Sequence, residues 1–202
     1  MHDMAKRLFD IVIAALGLVL LSPVLLLIAA WIKLDSTGPV FFRQERVGRF
    51  GRPFRIHKFR TMVAGADRLG TQITIGDDAR ITAAGRVLRR SKLDELPQLI
   101  DVLRGAMSLV GPRPEVPRYV ALYPRELRDK VLSVRPGITD RASIEFRDES
   151  ALLAAAADPE RAYAEVVLPA KLRFAADYVD HATLGYDLRL IALTLKTLIL
   201  GR

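Results

Sequence analysis

The sequence predicts a mostly helical α+β protein in which a membrane anchor precedes a small domain with short strands and interfacial amphipathic helices. Three observations predict this class. The stretch over residues 11–32 contains no charged residue and is long enough to supply the roughly 20 apolar residues that a bilayer core requires. Two short β-prone runs lie on either side of a Gly/Pro-rich turn, and segments with helical periodicity follow them. We therefore divide the chain into an anchor, residues 1–35, and a second domain, residues 36–202.

A proline lies at the centre of the apolar run, in the pair Ser22-Pro23. Proline removes a backbone donor and clashes with the preceding helical turn, so we expect the helix to kink or break there. Polar groups at membrane depth need partners, and we expect the Ser22 hydroxyl to bond a carbonyl that the proline frees.

Basic residues flank the apolar run at both ends, and such residues mark the cytoplasmic side of a membrane. They are Lys6 and Arg7 before the run, and Lys33, Arg43, Arg46, Arg49, Arg52, Arg55, Lys58 and Arg60 after it. A re-entrant helix, which enters the bilayer, turns at Ser22-Pro23 and returns, places both flanks in the cytoplasm. A kinked helix that spans the bilayer is the alternative. On the flanking charges we favour the re-entrant path.

Composition limits the classes of partner and site. The chain has 202 residues, a formal net charge of +8 and a pI near 10.1. It has no cysteine, which excludes disulfides and thiolate metal sites, and its three scattered histidines do not have the spacing of a zinc site. A basic chain with an apolar segment suits anionic lipids or phosphorylated substrates. It lacks the pattern of a nucleic-acid-binding module, so we expect membrane and phosphate partners and no nucleic acid.

After the anchor, the predicted elements are one hairpin and several helices. The hairpin is expected from two β-prone runs, residues 40–42 and 54–56, that lie on either side of the turn at 48–53. A helix is expected to begin near Asp94, because Pro97 fits only in its first turn. Further helices are predicted over 119–132, 149–157, 159–180 (broken near Pro169) and 185–200, with a short strand within 138–147. The last helix is amphipathic, which fits an interfacial helix or an ordinary core helix.

The candidate catalytic pair is Asp94-Glu95, with Asp94 near the helix N-cap. Adjacent helical side chains diverge by about 100°, so the two carboxylates would divide tasks. Taken alone, the pair is best explained as a helix cap. Arginines before the pair, and Arg113 on the rigid loop 112–114, favour phosphoryl transfer with carboxylates that stay ionised at neutral pH. Mg²⁺ would fit at Asp94 and Glu95, because it binds through few carboxylates together with substrate phosphates.

At this point the chain resembles the bacterial sugar transferases, the small monotopic polyprenol-phosphate phosphoglycosyl transferases. The matching motifs are KRLFDIVIAALGLVLLSPVLLLIAAWIKLDSTGPVFFRQERVG, KFRTM, LRRSKLDELPQL, MSLVGPRPE and VRPGIT, in the family's order. The resemblance implies an enzyme of the bacterial inner membrane with a catalytic domain facing the cytoplasm. It would transfer sugar-1-phosphate from a UDP-sugar to undecaprenyl phosphate and release UMP, as the first membrane step of polysaccharide or glycoconjugate assembly.

The resemblance also implies roles for individual residues. Asp94 would be the nucleophile that forms a phosphosugar-aspartyl intermediate, and Glu95 would assist through metal or proton handling. The pair Ser22-Pro23 matches the break in the family's re-entrant helix. The residues expected to bind phosphate or substrate are Lys58, Arg60, Arg89, Arg113 and Arg147.

The chain departs from the family's motifs at three places. It has Asp101 where the family often has asparagine, and Ala106 where the family often has aspartate. Residues 140–143 also differ from the usual continuation after the PGIT segment. This third departure lies in a region expected to influence sugar choice, so the sugar stays open.

Two other functions are compatible with the composition. A non-catalytic membrane adaptor would use the basic surface for anionic lipid and the last helix for a partner. A membrane-tethered nucleic-acid binder is suggested by the pI alone. The Asp94-Glu95 pair among arginines argues against the adaptor, and the missing aromatic–basic interleaving of a recognisable module argues against the nucleic-acid binder. A homodimer is compatible with the sequence but has no signature in it.

Overall fold

The computed structural model describes residues 2–66, 73–76 and 78–200, and in these residues helices surround two small two-stranded sheets. The elements, labelled in chain order, are α1 (His2–Asp35), β1 (Phe41–Val47), β2 (Pro53–Phe59), α2 (Ala83–Ser91), α3 (Gln98–Leu103), β3 (Ser108–Val110), α4 (Pro117–Val120), α5 (Arg125–Val131), β4 (Gly137–Thr139), α6 (Arg141–Glu145), α7 (Glu149–Ala154), α8 (Pro159–Ala162), α9 (Leu168–His181) and α10 (Leu184–Leu200). The predicted α+β class, mostly helical with a long apolar first helix, is confirmed. The division of the chain at residue 35 stays a prediction.

Helix α1 is the expected anchor, and it continues as one helix through Pro23. Pro23 has no N–H to donate to the carbonyl of Val19, four residues earlier. The Ser22 hydroxyl donates to that carbonyl instead, over 2.7 Å. The expected capture of a freed carbonyl by Ser22 is therefore confirmed. The secondary structure does not divide at Ser22-Pro23, and the re-entrant helix-break-helix path stays a prediction.

Both ends of α1 pack against the rest of the protein, while its middle is exposed. Near the first end, Asp10 accepts a hydrogen bond from the backbone N–H of Leu109 over 3.1 Å. Near the second end, Ile32 packs with Phe59 of β2 and Leu88 of α2. The apolar side chains that are 53% to 74% exposed between these ends are Leu16, Val19, Leu20, Leu26 and Leu27. Within the described chain, α1 is the one helix long and apolar enough to cross a membrane.

The predicted hairpin is confirmed. Strands β1 and β2 are antiparallel, with Phe41 opposite Phe59. Side chains alternate along a strand, so His57 and Lys58 lie on opposite faces of β2. On one face, Asp101 of α3 accepts a hydrogen bond from the backbone N–H of His57 over 2.8 Å, and its second oxygen lies 2.6 Å from the ring Nδ1. These bonds fix β2 against α3 and direct Lys58 to the opposite face.

The predicted helix start at Asp94 is wrong. Helix α2 ends before Lys92, whose backbone is left-handed with φ of 57°. Residues Leu93–Glu95 then form a 3-10 turn, and Pro97 lies at the N-cap position of α3. The N-cap positions of the 3-10 turn and of α3 are Lys92 and Pro97, and neither makes a side-chain capping hydrogen bond. Asp94 is therefore not an N-cap residue, which was the role that the sequence alone favoured for it.

The second sheet positions the loop that carries Arg113. Strands β3 and β4 are parallel, with Ser108 opposite Gly137. A Cβ atom at Gly137 would lie 2.1 Å from the backbone nitrogen of Gly111. This approach requires glycine at residue 137, and the same contact fixes the start of the loop that carries Arg113. The predicted short strand is thus present, although it begins at Gly137 rather than within 138–147.

Helix α10 is covered on one side only. Leu190 is 3% exposed, whereas Leu188 and Leu195 are 49% and 53% exposed. The helix therefore contributes to the core and also presents apolar side chains outward. The core explanation therefore holds for the buried side of α10, and the interfacial position of the helix stays a prediction.

Candidate active site

Asp94 and Glu95 lie in the wall of a cavity of about 430 Å³, which we call the polar cavity. The 3-10 turn places the two carboxylates there, β2 contributes Lys58, and the loop after β3 contributes Arg113. The other charged residues that line it are Arg46, Arg86, Arg89, Arg90, Lys92, Glu115, Arg147, Glu149 and Lys171. Among the described residues, nine cationic side chains thus face four carboxylates, so the polar cavity suits an anionic ligand.

Glu95 is held by two cations. Lys58 Nζ donates to Glu95 Oε1 over 2.8 Å, and Arg113 donates to both carboxylate oxygens, at 3.1 Å to Oε2. Burial alone would raise the pKa of Glu95, but Arg113 and Lys58 hold it well below its usual range. The same carboxylate raises the pKa of Arg113. Glu95 is therefore an ionised group that orients two cations, and its oxygens are already engaged.

Asp94 is in a different environment, although it is the adjacent residue. It is 8% exposed, and its Oδ1 is buried with no hydrogen-bond partner among the described residues. Burial raises the pKa of Asp94, and the charge of Lys58 opposes this without reversing it. The direction is opposite to the expected effect of neighbouring arginines, because Asp94 is desolvated more than it is paired. One oxygen of the Asp94 carboxylate therefore has unused hydrogen-bonding capacity in the wall of the polar cavity.

Four of the five predicted basic residues line the polar cavity, namely Lys58, Arg89, Arg113 and Arg147. Arg89 of α2 donates to the hydroxyl of Thr74 over 2.6 Å. Arg147, which follows α6, donates to the backbone carbonyl of Thr197 in α10 over 2.9 Å. These cations come from four separate parts of the chain, and the fold brings them together.

Arg60 is the predicted basic residue that the structure does not bring to the cavity. It is 5% exposed. Its guanidinium donates to the carbonyls of Ile32, Ser36 and Thr37, at 3.3, 2.6 and 2.8 Å. Arg60 therefore bonds the carbonyls at the C-terminal end of α1. The sequence did not separate it from Lys58, because both belong to the motif KFRTM.

A second, apolar cavity of about 250 Å³ adjoins the first. The apolar side chains that line it, from α1, α3 and α10 among other elements, are Ile13, Leu96, Leu99, Leu109, Ile138, Ile144, Ile191, Leu195 and Leu198. The two cavities share a wall of five residues, Lys92, Glu95, Arg113, Ser143 and Arg147. An anionic group at this wall can therefore contact cations while an apolar chain attached to it occupies the second cavity.

Sequence reasoning missed several residues of the polar cavity. Tyr163 donates its hydroxyl to Glu115 over 2.6 Å, and Arg46 lies 3.7 Å from the same carboxylate. Tyr119 and Ser143 also line the cavity. Position within the motif MSLVGPRPE was a signal for Glu115. No local pattern marks the two tyrosines, which the fold places beside it.

Comparison with known proteins identifies the family. The family model described as bacterial sugar transferase matches residues 1–201. The chain belongs to the bacterial sugar transferase family. The resemblance drawn from the five sequence motifs is thereby confirmed.

Three relatives illustrate the family. The chain is 38% identical over 198 residues to a UDP-N-acetylgalactosamine-undecaprenyl-phosphate N-acetylgalactosaminephosphotransferase of Aeromonas hydrophila. The matched region is 97% of this chain and 44% of that relative. It is 40% identical over 211 residues to a UDP-glucose:undecaprenyl-phosphate glucose-1-phosphate transferase of Caulobacter vibrioides, and the matched region is 98% of this chain and 70% of that relative. It is 34% identical to an exopolysaccharide production protein of Sinorhizobium fredii, and the matched region is 98% of this chain and 87% of that relative. The chain thus spans less than half the length of the first relative, and the two named donors carry different sugars.

Proposed function

We propose that this protein transfers sugar-1-phosphate from a UDP-sugar to undecaprenyl phosphate, releasing UMP and forming an undecaprenyl-diphosphate sugar. The observation that carries the proposal is the wall shared by the polar and apolar cavities. A donor with two phosphates suits the polar cavity, and a lipid with one terminal phosphate suits the apolar cavity. The sugar-bearing phosphate of the donor and the phosphate of the lipid would then meet beside Asp94. The names of the relatives support the same pair of substrate classes.

The first step assigned to the site is attack by Asp94 on the donor. A carboxylate oxygen forms a bond to the β-phosphorus, and the bond from that phosphorus to the bridging oxygen breaks. The bridging oxygen leaves with UMP, and the sugar phosphate remains on Asp94 as an acyl phosphate. Lys58 and Arg113, held in place by Glu95, supply positive charge beside the reacting phosphate.

The second step is attack by the lipid. A phosphate oxygen of undecaprenyl phosphate forms a bond to the same phosphorus, and the bond to Asp94 breaks. The carboxylate is regenerated and the diphosphate of the product is formed. A covalent intermediate replaces one displacement between two bulky anions with two displacements, each of which involves one of them.

Mg²⁺ fits this site through Asp94 rather than through both carboxylates. Asp94 Oδ1 has no partner among the described residues, whereas both oxygens of Glu95 are bonded to Lys58 and Arg113. The described chain contains no group of three acidic or histidine side chains that would enclose a metal. Mg²⁺ needs few protein ligands when substrate phosphates complete its shell. When bound, it would offset the negative charge of the donor's diphosphate.

We propose that α1 is re-entrant and that the rest of the protein faces the cytoplasm at the inner membrane. Both ends of α1 pack against the same body, through Asp10 and Ile32, while apolar side chains between them are exposed. A helix that crossed the bilayer would carry its two ends to opposite sides. Contacts at both ends therefore favour insertion of the middle of α1 from one side.

The proposed reaction is tested by UMP release from a panel of UDP-sugars with Mg²⁺, with and without undecaprenyl phosphate. The wild-type chain should release UMP with at least one donor in a lipid-dependent manner, and Asp94→Asn should not. Intact-protein mass of the wild type, incubated with that donor alone, should show one added sugar phosphate. Full turnover by Asp94→Asn would contradict the assignment.

A further inference from the structure

Two residues that line the polar cavity carry buried hydroxyls without partners. They are the hydroxyl of Tyr119 and the Oγ of Ser143, for which the described residues provide no hydrogen-bond partner. We propose that Tyr119 and Ser143 bind the uncharged, hydroxyl-bearing part of the nucleotide-sugar donor and so contribute to donor selection. The inference rests on the proposed function, because it assigns residues that would bind the donor of that reaction.

Tyr119 is fixed in place, and its hydroxyl alone is unengaged. The side chain is 4% exposed, and its ring lies 4.6 Å from the ring of Tyr163, centroid to centroid. The Tyr163 hydroxyl is bonded to Glu115, so the two neighbouring rings differ in whether the hydroxyl has a partner. A buried polar group without a partner costs stability, and a ligand that supplies the partner recovers it. A tyrosine hydroxyl is neutral and able to donate at neutral pH, and burial raises the pKa of Tyr119 further from that range.

Ser143 is similarly positioned by its backbone rather than by its hydroxyl. Its N–H donates to Asp140 Oδ1 over 2.8 Å at the start of α6, which leaves Oγ unused. Ser143 belongs to the wall shared with the apolar cavity, beside Glu95 and Arg113. It therefore lies near the place assigned to the reacting phosphate, to which the sugar is attached, whereas Tyr119 lines only the polar cavity.

The charges around the cavity explain why these hydroxyls suit the uncharged part of the donor. Nine cationic side chains among the described residues line the cavity and are the natural partners of the diphosphate. Cationic side chains bind phosphate oxygens more strongly than neutral hydroxyl groups bind the same oxygens. The hydroxyls are then left for ribose, uracil or sugar groups, whose hydrogen bonds to buried polar atoms discriminate strongly between ligands.

The test uses Tyr119→Phe and Ser143→Ala, which remove only the two oxygens. Without ligand, each variant should unfold at the wild-type temperature or above it, since no hydrogen bond is lost. The kcat/KM for the donor should fall by about 3- to 10-fold in each, the loss expected for one hydrogen bond. Tyr163→Phe is the matched control, and it should unfold at a lower temperature because it leaves the Glu115 carboxylate without its donor.

Inhibition by UDP distinguishes the two parts of the donor to which the hydroxyls could bind, the sugar and the nucleoside. If a variant loses affinity for the UDP-sugar but not for UDP, the hydroxyl reads the sugar. If it loses affinity for both and for uridine equally, the hydroxyl binds the nucleoside; a loss for both that spares uridine would place the hydroxyl on the diphosphate and overturn the inference. Unchanged kcat/KM and unchanged UDP inhibition in both variants, with an active wild type, would overturn the inference and leave the proposed function intact. A wild type that releases UMP from no donor would overturn the proposed function and the inference with it.

Discussion

Replacing Glu95 with glutamine removes the negative charge that Lys58 and Arg113 share. The side chains of Glu95, Lys58 and Arg113 are 11%, 17% and 26% exposed, so water screens them little. Removing one partner from a buried ion pair costs about 3–5 kcal/mol, because the other charge stays buried. Glutamine keeps one oxygen for hydrogen bonding, so we expect the lower end, about 3 kcal/mol. For a chain of 202 residues this corresponds to a fall in Tm of roughly 6 to 12 °C.

The assay is thermal unfolding of the purified full chain in lipid nanodiscs at neutral pH. Glu165→Gln is the matched control. Glu165 lies 3.0 Å from Arg161, but these side chains are 60% and 71% exposed. Exposed pairs contribute about 0–1 kcal/mol, so the control should change the Tm little. Equal effects of Glu95→Gln and Glu165→Gln would refute the reasoning that burial makes the Glu95 pairs strong.

The pH dependence gives a second check on the same substitution. Burial would raise the pKa of Glu95, but Arg113 and Lys58 hold it well below its ordinary value of 4.5. A carboxylate with a lowered folded-state pKa stabilises the protein fully above its unfolded-state pKa, and less as the pH falls through the folded-state value. The Tm difference between wild type and Glu95→Gln should therefore be largest at neutral pH and shrink below pH 4.5. A difference that does not change on acidification would contradict the ion-pair explanation.

Cysteines introduced at Leu8 and Leu34, which are 64% and 87% exposed, should react with a membrane-impermeant maleimide from the same side of sealed vesicles, since the chain has no other cysteine. Labelling from opposite sides would exclude the re-entrant path. Arg60→Gln should lower the free energy of unfolding by roughly 1–3 kcal/mol, because carbonyls at the end of α1 lose their donor. It should leave the KM for the UDP-sugar unchanged. A raised KM at unchanged Tm would make Arg60 a substrate contact. Burial raises the pKa of Asp94, and only the carboxylate attacks phosphorus, so kcat/KM should fall on acidification at a higher pH than an ordinary aspartate would require. A kcat/KM that does not change on acidification would count against Asp94 as the nucleophile.

The features that the sequence predicted correctly depend on residues close together in the chain. The uncharged run over residues 11–32 indicated the long apolar helix, and the turn at 48–53 indicated the β1–β2 hairpin. The bond from Ser22 to a carbonyl one turn earlier is also local, and it too was predictable. The ordered motifs were sufficient to identify the family, because each motif is a contiguous string of residues. The start of α3 was not predictable, because the left-handed residue Lys92 ended α2 before the acidic pair.

The tertiary structure alone decided which role each charged residue has. Lys58 and Arg60 are two positions apart in one motif, yet Lys58 bonds Glu95 while Arg60 bonds the end of α1. Asp94 and Glu95 are adjacent acids, yet distant segments bring cations to Glu95 and leave one oxygen of Asp94 without a partner. The apolar cavity likewise exists only where α1, α3 and α10 meet. The sequence by itself thus determined the family, the apolar helix and the candidate residues. The division of roles among those residues required the folded chain, because desolvation and hydrogen bonding depend on groups that are far apart in sequence.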